Sequence, residues 1–449
     1  MSAAHPSNGA TPAELAAVRE RLAPVLERLA AGTIERDAAR ELPLAGVAEL
    51  AAAGFGALRV PRSHGGAGLN LEQLFDVLVD VAAADPNAAQ ALRGHLAFVE
   101  DRLVARPGPA RDAWLARFVA GELVGNAWTD APAETVGGRT TTLRRADSGE
   151  GWALDGTKYY STGSLFAQWI DVYAASPGHG EDVIALVRTD VGGVERFDDW
   201  DGFGQRGTGT GTTIFTGAPV RDEDVVPGSD RFGYQTAFYQ QVLLATLAGI
   251  VRTAADEGAS ALRERVRGYS HGAAAGPAAD PQLLQAIGEV DAAAFAARAV
   301  VRQAAASLDA AAAAHLARWG GRHAPRAGGR AEDGDTAPAT AGTGTGPGVV
   351  GHRDVREAVA AANDAAELAT GRGQVVLSVS VPAAAARLFD ALGASGTSTS
   401  RSLDRHWRNA RTVASHNPWV YKARDAGDAL VNGKAPTRLW SVVAPVAAS

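Results

Sequence analysis

A short segment near the C-terminus carries side chains suited to binding a polar ligand. Between Asp404 and Pro418 arginines recur at every third position, and two histidines lie among or beyond them. Guanidinium and imidazole groups have fixed donor geometry, which suits a ligand with a phosphate and ring heteroatoms. The alternative is that the arginines form an exposed or ion-paired helix face. The residues concerned are Arg405, Arg408, Arg411, His406 and His416.

Two further segments are unusual in composition. Gly125–Asp130 reads Gly-Asn-Ala-Trp-Thr-Asp and lies where a helical pattern changes to a strand pattern. Lys158–Ser164 reads Lys-Tyr-Tyr-Ser-Thr-Gly-Ser. Polar side chains at a junction between folding units favour a ligand site there.

The sequence lacks the motifs that several other kinds of ligand binding and catalysis require. Gly202–Gly207 matches G-x-G-x-x-G by letter, but the following Thr-Gly repeat cannot begin a helix, which excludes a nicotinamide-binding Rossmann turn. The Gly-rich stretch at 63–69 lacks the lysine and hydroxyl of a phosphate loop and is predicted to be a turn. The ten histidines show no metal-binding spacing, so no metal site is expected. The sequence also lacks the G-x-S-x-G elbow of serine hydrolases.

Composition narrows the remaining classes. With 43 Lys and Arg against 50 Asp and Glu the net charge is −7, which argues against nucleic acid as a partner. With no cysteine, redox chemistry requires a bound cofactor. The N-terminal residues show no leader pattern, and no stretch of about 18 uninterrupted apolar residues predicts a membrane segment. We therefore expect a cytoplasmic protein with no membrane partner.

Three regions of different periodicity follow one another along the chain. Residues 11–122 repeat apolar positions at three and four, with Thr11 as a plausible N-cap, and predict a helical domain. Residues 123–232 bunch β-branched and aromatic residues between turn signals and predict a β-domain. Residues 233–435 return to long helices, one of them from Asp354 to about Val381. A Gly- and Ala-rich segment at 320–351 is predicted to be a disordered insertion. The fold class is therefore α+β.

This order and three motifs closely resemble the acyl-CoA dehydrogenase superfamily, and more narrowly its flavin-dependent monooxygenases of dibenzothiophene and dimethyl sulfone utilisation. The motifs are Tyr159–Trp169, Trp200–Thr213, and Leu388–Ser395 followed by Asp404–Thr412. The resemblance implies an N-terminal helical domain, a central β-barrel-like domain and a C-terminal four-helix bundle, assembled as a homotetramer. Flavin would lie between the β-domain and the bundle.

The resemblance also implies site residues. Cofactor contacts are expected at Asn126, Thr129, Ser161, Trp200 and Thr210, with Thr208 as the rival of Thr210 because the Gly-Thr repeat blurs the register. Arg267 is expected to meet the flavin phosphate, with Arg265 as its rival.

Three of the residues are also expected to be catalytic. His416 would face the reactive edge of the ring, His95 would line the same pocket, and Ser161 would lie beside the ring. For each of these residues a structural role remains open: a helix cap for His416, a core position for His95 and an ordinary strand position for Ser161. Trp200, expected among the cofactor contacts, is as readily explained by packing.

One departure from the family separates dehydrogenase from oxygenase. A dehydrogenase needs a carboxylate base for the substrate's α-proton, but this chain has Gln240 and Gln241 at one family position and Ser415-His-Asn at the other. The sequence therefore favours a two-component monooxygenase, in which a separate reductase supplies reduced FMN and a C4a-hydroperoxyflavin oxygenates a small, soft, neutral substrate, with an organosulfur compound favoured. FAD is the alternative cofactor. An acyl-CoA dehydrogenase or oxidase and a flavin-binding protein without turnover are the alternative functions.

Overall fold

The computed structural model describes residues 9–130, 140–268, 270–274, 276–320 and 352–438. The prediction about a leader concerns residues 1–8, which lie outside these ranges. The predicted insertion at 320–351 also lies outside them, apart from its first residue. Within the described ranges helices, then strands, then helices follow one another, as the periodicities predict.

The N-terminal part is helical up to residue 119. Thr11 caps the first helix: its side chain accepts a hydrogen bond from the backbone of Glu14, whose carboxylate accepts from the backbone of Thr11, a capping box. The Gly-rich stretch after Arg62 forms a turn with Gly65 and Gly68 at positive φ, as predicted. The helices are α1 (Pro12–Ala31), α2 (Thr33–Ala39), α3 (Leu44–Ala52), α4 (Leu71–Ala84), α5 (Pro86–Ala91), α6 (Arg93–Val104) and α7 (Pro109–Val119).

The central part is a sheet with the strand order β7-β8-β4-β3-β5-β6-β9, in which β1 pairs with β5 in parallel and β2 pairs with β4 in antiparallel. Phe215 on β8 and Val187 on β6 share one buried cluster although three strands separate them, so the sheet curls around that cluster. The strands are β1 (Val124–Ala127), β2 (Thr129–Asp130), β3 (Thr142–Arg145), β4 (Trp152–Tyr159), β5 (Trp169–Ser176), β6 (Glu181–Arg188), β7 (Val194–Arg196), β8 (Thr213–Val220) and β9 (Val225–Pro227).

The C-terminal part is a bundle of long helices. Among them α8 is buried along most of its length, since its apolar residues occupy every face. The prediction that a helix ends near Val381 is wrong: α10 continues through Pro382. The ring costs one backbone hydrogen bond, but Ala385 and Leu388 beyond it are fully buried in the bundle. The helices are α8 (Gln235–Glu264), α9 (Pro281–Gly320), α10 (His352–Leu392), α11 (Asp404–Ala414) and α12 (Trp419–Asn432).

One core joins the N-terminal helices to the bundle. Phe75 on α4 and Phe238 on α8 belong to it, with ring centroids 5.3 Å apart. By length and composition alone α10 could also cross a membrane. However, half of its most apolar window is buried inside the protein, and it packs against α8, α9, α11 and α12, which is how the core helix of a bundle is placed.

Candidate active site

His416 lies just after α11, where the bundle meets the N-terminal helices. Its Nε2 atom lies 3.0 Å from a terminal nitrogen of Arg93, and its Nδ1 atom lies 3.3 Å from Oδ1 of Asn417. Because a guanidinium can only donate, Nε2 accepts, and the ring proton resides on Nδ1 and is donated to Asn417. Burial among surrounding protein atoms and the charge of Arg93 lower the pKa of His416 to about 3. The residue as a whole is nevertheless exposed in the single chain, so the neutral imidazole lies at the surface.

The two segments in which the resemblance places a dehydrogenase's base, Gln240-Gln241 and Ser415-His-Asn, meet beside His416. Asn417 donates a hydrogen bond from Nδ2 to Oε1 of Gln240 on α8, at 3.0 Å. Both groups are amides, which do not ionise, so neither position supplies a base. This contact holds the segment after α11 against α8.

Arg93 begins α6 and is a buried cation without a carboxylate partner among the described residues. Its Nε atom donates to the backbone oxygen of Tyr239 at 3.3 Å, and its guanidinium carbon lies 4.5 Å from the centroid of that residue's ring. Burial lowers the pKa of Arg93 to about 10, which leaves it charged at neutral pH. No sequence motif marks Arg93. The feature that could have drawn attention to it is its place directly after the mostly apolar run from Ala88 to Leu92.

Asn126 on β1 lies next to this helix start. A Cβ on Gly94 would come within 2.9 Å of Cβ and Oδ1 of Asn126, so only glycine lets α6 and β1 approach this closely. Asn126 is nine-tenths buried, and its Oδ1 has no hydrogen-bond partner among the described residues. The buried hydroxyl of Tyr239 likewise finds no partner in the part of the chain that the structure describes. Unpaired buried polar atoms of this kind point to a ligand that satisfies them.

A ladder of hydroxyl groups continues from Asn126 toward the β-domain. The backbone nitrogen of Asn126 donates to the carbonyl of Thr162 at 3.3 Å. The hydroxyl of Thr162 lies 2.9 Å from that of Thr210, which lies 2.7 Å from that of Thr208. Thr208 and Thr210 therefore both belong to the same cluster, and the register that the sequence left open does not separate them.

Ser161 is fully buried beside this ladder. Its hydroxyl donates to the carbonyl of Gly211 at 2.7 Å and lies 2.6 Å from the hydroxyl of Thr213. Both contacts are made within the chain, so in this structure Ser161 fastens the end of β4 to the loop at 202–212. A direct contact with a flavin ring stays a prediction.

The loop at 202–212 forms no helix, as predicted, and docks on α5 and α11. The backbone nitrogen of Gln205 donates to Asn409 on α11 at 2.6 Å, and that of Gly207 donates to Asn87 on α5 at 3.1 Å. Trp200 anchors the loop by donating from its indole nitrogen to the carbonyl of Gly204 at 3.0 Å. The loop thereby joins the β-domain, the N-terminal helices and the bundle.

His95 lies in the core, only 1% exposed. Its Nδ1 atom accepts from the backbone nitrogen of Val124 at 3.2 Å, and its Nε2 atom lies 2.9 Å from the carbonyl of Gly56, to which it therefore donates. Burial lowers the pKa of His95 to about 4. With both nitrogens occupied by backbone groups, the geometry favours the core position that the sequence left open rather than the expected place lining the pocket.

The arginines of α11 are explained largely by ion pairs. Arg405 pairs with Glu257, and Arg408 pairs with Asp37 at 2.5 Å. The ion-paired face that the sequence left open is thus confirmed for these two residues, while Arg411 is exposed. His406 is also tied to Glu257, at 2.8 Å, and burial lowers its pKa.

Arg267 lies apart from the cluster, whereas Thr129 pairs with Tyr159, two residues before Ser161. Arg267 is exposed and follows α8, whose last turn packs through Leu262 against Leu403 at the start of α11. His416 lies beyond the other end of α11, a helix of 11 residues or about 16 Å. Arg265 lies beside Arg267 and donates to the carbonyl of Ala391. Thr129 is exposed on the edge strand β2.

The described residues contain no group of three or more His, Asp and Glu side chains that could hold a metal ion. What the site offers instead is a set of amides, hydroxyls and one cation around unsatisfied buried polar atoms. Such groups fit the edges of a flavin ring, which carries alternating donors and acceptors.

The chain is similar to known proteins along most of its length. Residues 350–419 match the family described as acyl-CoA dehydrogenase, C-terminal domain. The chain is 25% identical over 429 residues to a dibenzothiophene monooxygenase of Rhodococcus qingshengii, covering 91% of this chain and 92% of that protein. It is 28% identical over 417 residues to a probable FMNH2-dependent monooxygenase, SfnC, of Pseudomonas putida, covering 90% and 92%.

The fold is likewise that of a solved structure. FMN-bound TdsC from Paenibacillus sp. A11-2 superposes with a TM-score of 0.73 at 23% identity, covering 94% of this chain and 99% of TdsC. The chain is thus similar to the acyl-CoA dehydrogenase C-terminal domain over residues 350–419 and, over nine-tenths of its length, to proteins named as flavin-dependent monooxygenases.

Proposed function

We propose that this protein is the oxygenase of a two-component flavin-dependent monooxygenase, which oxygenates a small organic substrate, with an organosulfur compound favoured. The contact that carries the proposal is the Asn417–Gln240 amide pair beside a neutral His416. A dehydrogenase would need a carboxylate here to remove the substrate's α-proton. The named similarity to an FMNH2-dependent monooxygenase and to dibenzothiophene monooxygenases supports the same function.

Bound reduced flavin would supply two electrons to O2, so that one oxygen atom enters the substrate and the other leaves as water. FMN is the proposed cofactor, since similar proteins are named or solved with it. A separate reductase would supply the reduced flavin, because the sequence offers no nicotinamide site.

The chain's own residues would position the flavin and exclude water. Asn126 offers its unpaired Oδ1 to a ring donor, and the Thr162–Thr210 pair offers hydroxyls at the same edge. Ser161, Trp200 and the loop at 202–212 hold those groups in place. Thr129 would contribute only from the rim.

His416 would act by holding Arg93 in place rather than as an acid. With its pKa lowered to about 3 the imidazole is neutral at neutral pH, and its one ring proton, on Nδ1, is donated to Asn417. The cation beside it, Arg93, is the group able to stabilise negative charge. His95 would act one step removed, by fixing the backbone at Val124, two residues before Asn126.

Assembly and location complete the proposal. Arg267 could reach a flavin phosphate only from another copy of the chain, because within one chain it lies beyond the far end of α11. A homotetramer would allow this contact. We also place the enzyme in the cytoplasm, where a reductase and reduced flavin are available.

The decisive experiment supplies reduced FMN from an unrelated reductase under ¹⁸O2 with a panel of sulfides, sulfones and sulfinates. We expect one ¹⁸O atom per product molecule by mass spectrometry. Label from water instead of O2, or anaerobic bleaching of bound flavin by acyl-CoA thioesters, would contradict the proposal.

The variant His416→Ala distinguishes the proposed monooxygenase from a flavin-binding protein without turnover. Under our proposal this variant loses product formation by a much larger factor than it loses FMN affinity. Equal losses would favour a binding protein.

A further inference from the structure

Arg93 differs from the other deeply buried arginines of the described chain in having no counter-ion. Arg59 pairs with Glu100 at 2.9 Å, and Arg231 pairs with Asp171 at 3.0 Å. Arg405 pairs with Glu257. Arg93 instead contacts two neutral acceptors, the carbonyl of Tyr239 and the imidazole of His416. Burying a cation without a partner is costly, so the missing anion is expected to come from a ligand.

The guanidinium retains the means to bind that anion. A guanidinium carries five N–H donors. The N–H on Nε is used by the carbonyl of Tyr239, and one N–H on one terminal nitrogen is used by His416. The other terminal nitrogen makes no hydrogen bond within the described residues. Two adjacent N–H groups on the two terminal nitrogens match the spacing of two oxygens of a carboxylate, sulfinate or sulfonate.

The surroundings place this anion inside the proposed site. His416, which contacts the guanidinium, is exposed at the surface, so an anion from solvent can reach this corner. Gly94, the next residue, contacts Asn126 of the proposed flavin edge. The ring of Tyr239 lies under Arg93, and its buried hydroxyl, which has no partner among the described residues, adds a second polar group to the same corner.

We propose that Arg93 is the specificity-determining residue of the substrate pocket and that the substrate carries a small oxyanion, such as a sulfinate, sulfonate or carboxylate. This inference rests on the proposed function for the identity of the ligand as substrate. It replaces the neutral substrate that the sequence suggested. The oxyanion proposal is tested by binding alone, without O2 or turnover. If it fails, the ¹⁸O2 experiment can still support the proposed monooxygenase function.

The experiment measures binding to the purified full-length protein by calorimetry, with and without FMN. The probes are benzenesulfinate and methanesulfinate, each compared with a neutral sulfone of similar shape, methyl phenyl sulfone or dimethyl sulfone. We expect the wild type to prefer the anion by roughly 10- to 100-fold, as for a charge-assisted hydrogen-bonded pair, and to lose part of that preference as salt rises.

Arg93→Met should abolish the preference while changing the FMN dissociation constant by less than about threefold, within the range of a surface substitution. Arg93→Lys keeps the charge without the planar fork and should retain a reduced preference. The matched control is Arg424→Met, which removes an exposed arginine on α12 and should leave the preference unchanged.

Three results would overturn the proposal. The first is a wild type that binds sulfone and sulfinate equally. The second is an Arg93→Met variant that keeps the anion preference. The third is an Arg93→Met variant that loses FMN affinity by the same factor, which would make Arg93 the counter-ion of the flavin. If neither variant folds, the thermal midpoint of the wild type decides, since it must rise with methanesulfinate and not with equal dimethyl sulfone or chloride.

Discussion

Replacing His95 with leucine would separate a core histidine from one that lines the pocket. Leucine fills the space but leaves the carbonyl of Gly56 and the backbone nitrogen of Val124 without partners. Two buried groups left unpaired cost roughly 3 kcal/mol of unfolding free energy at pH 7.5. Because Val124 begins β1, the variant should also loosen Asn126 two residues later.

The pH dependence supplies the sharper part of the prediction. The pKa of His95 is about 4 in the folded protein against an ordinary value of 6.5, so between these values the unfolded chain binds more protons. The wild type therefore loses stability as pH falls from 6.5 toward 4. At pH 5 the His95 contribution to this loss is about 2 kcal/mol, and at pH 7.5 it is negligible.

Urea unfolding of wild type and His95→Leu at both pH values measures the difference. We expect the variant to be less stable by roughly 3 kcal/mol at pH 7.5 but by only about 1 kcal/mol at pH 5, since leucine takes up no proton. His64→Leu, at a residue one-third exposed on a surface turn, is the control and should cost under about 1 kcal/mol at both values. A His95→Leu penalty that is the same at pH 5 and pH 7.5 would refute the core placement.

Three further substitutions test how the site is held together. Gly94→Ala should weaken FMN binding roughly 10-fold in a fluorescence titration, because its methyl group would press on Asn126, whereas Gly427→Ala, which meets nothing within 4 Å, should not. Glu367→Gln should cost roughly 3–5 kcal/mol in urea unfolding because it removes the negative charge that pairs with the buried Lys422, against under about 1 kcal/mol for Asp390→Asn in an exposed pair. Gly204→Ala should destabilise by roughly 1–3 kcal/mol and speed proteolysis of the loop at 202–212, because its methyl group would collide with the backbone of Arg408; no such effect is expected from Gly192→Ala.

The parts of the fold that the sequence predicts are those set by local patterns. The capping box at Thr11 lies within four residues, and the change of period near residue 123 is visible in any short window. The Thr-Gly repeat after Gly207 excludes a helix because glycine and threonine favour other conformations. Pro382 shows the limit of such reasoning, since burial of the residues beyond it outweighs its local preference.

The site itself depends on contacts that no local pattern carries. Arg93 and His416 are 323 positions apart, and Asn417 and Gln240 are 177 apart. The family resemblance pointed to His416 and Gln240. It did not predict that Asn417, the neighbour of His416, donates a hydrogen bond to Gln240. It could not assign the protonation of His416, which is decided by Arg93, nor show that the arginines of α11 are mostly neutralised by Glu257 and Asp37.

The charge at this corner of the site bears on both proposals together. A carboxylate at position 416 would lie within hydrogen-bonding distance of Arg93, pair with it and have its pKa lowered, which makes a poor base for a weakly acidic α-proton. The chain therefore differs from a dehydrogenase by more than a missing acid: neutral amides stand at the positions expected for the base, and a cation, Arg93, lies beside them. A cation at that place repels no electron-rich substrate and attracts an anionic one, so the same guanidinium that disfavours proton abstraction favours a substrate with an oxyanion. The choice of reaction and the choice of substrate thus follow from one residue, Arg93, and from the neutral imidazole that it holds.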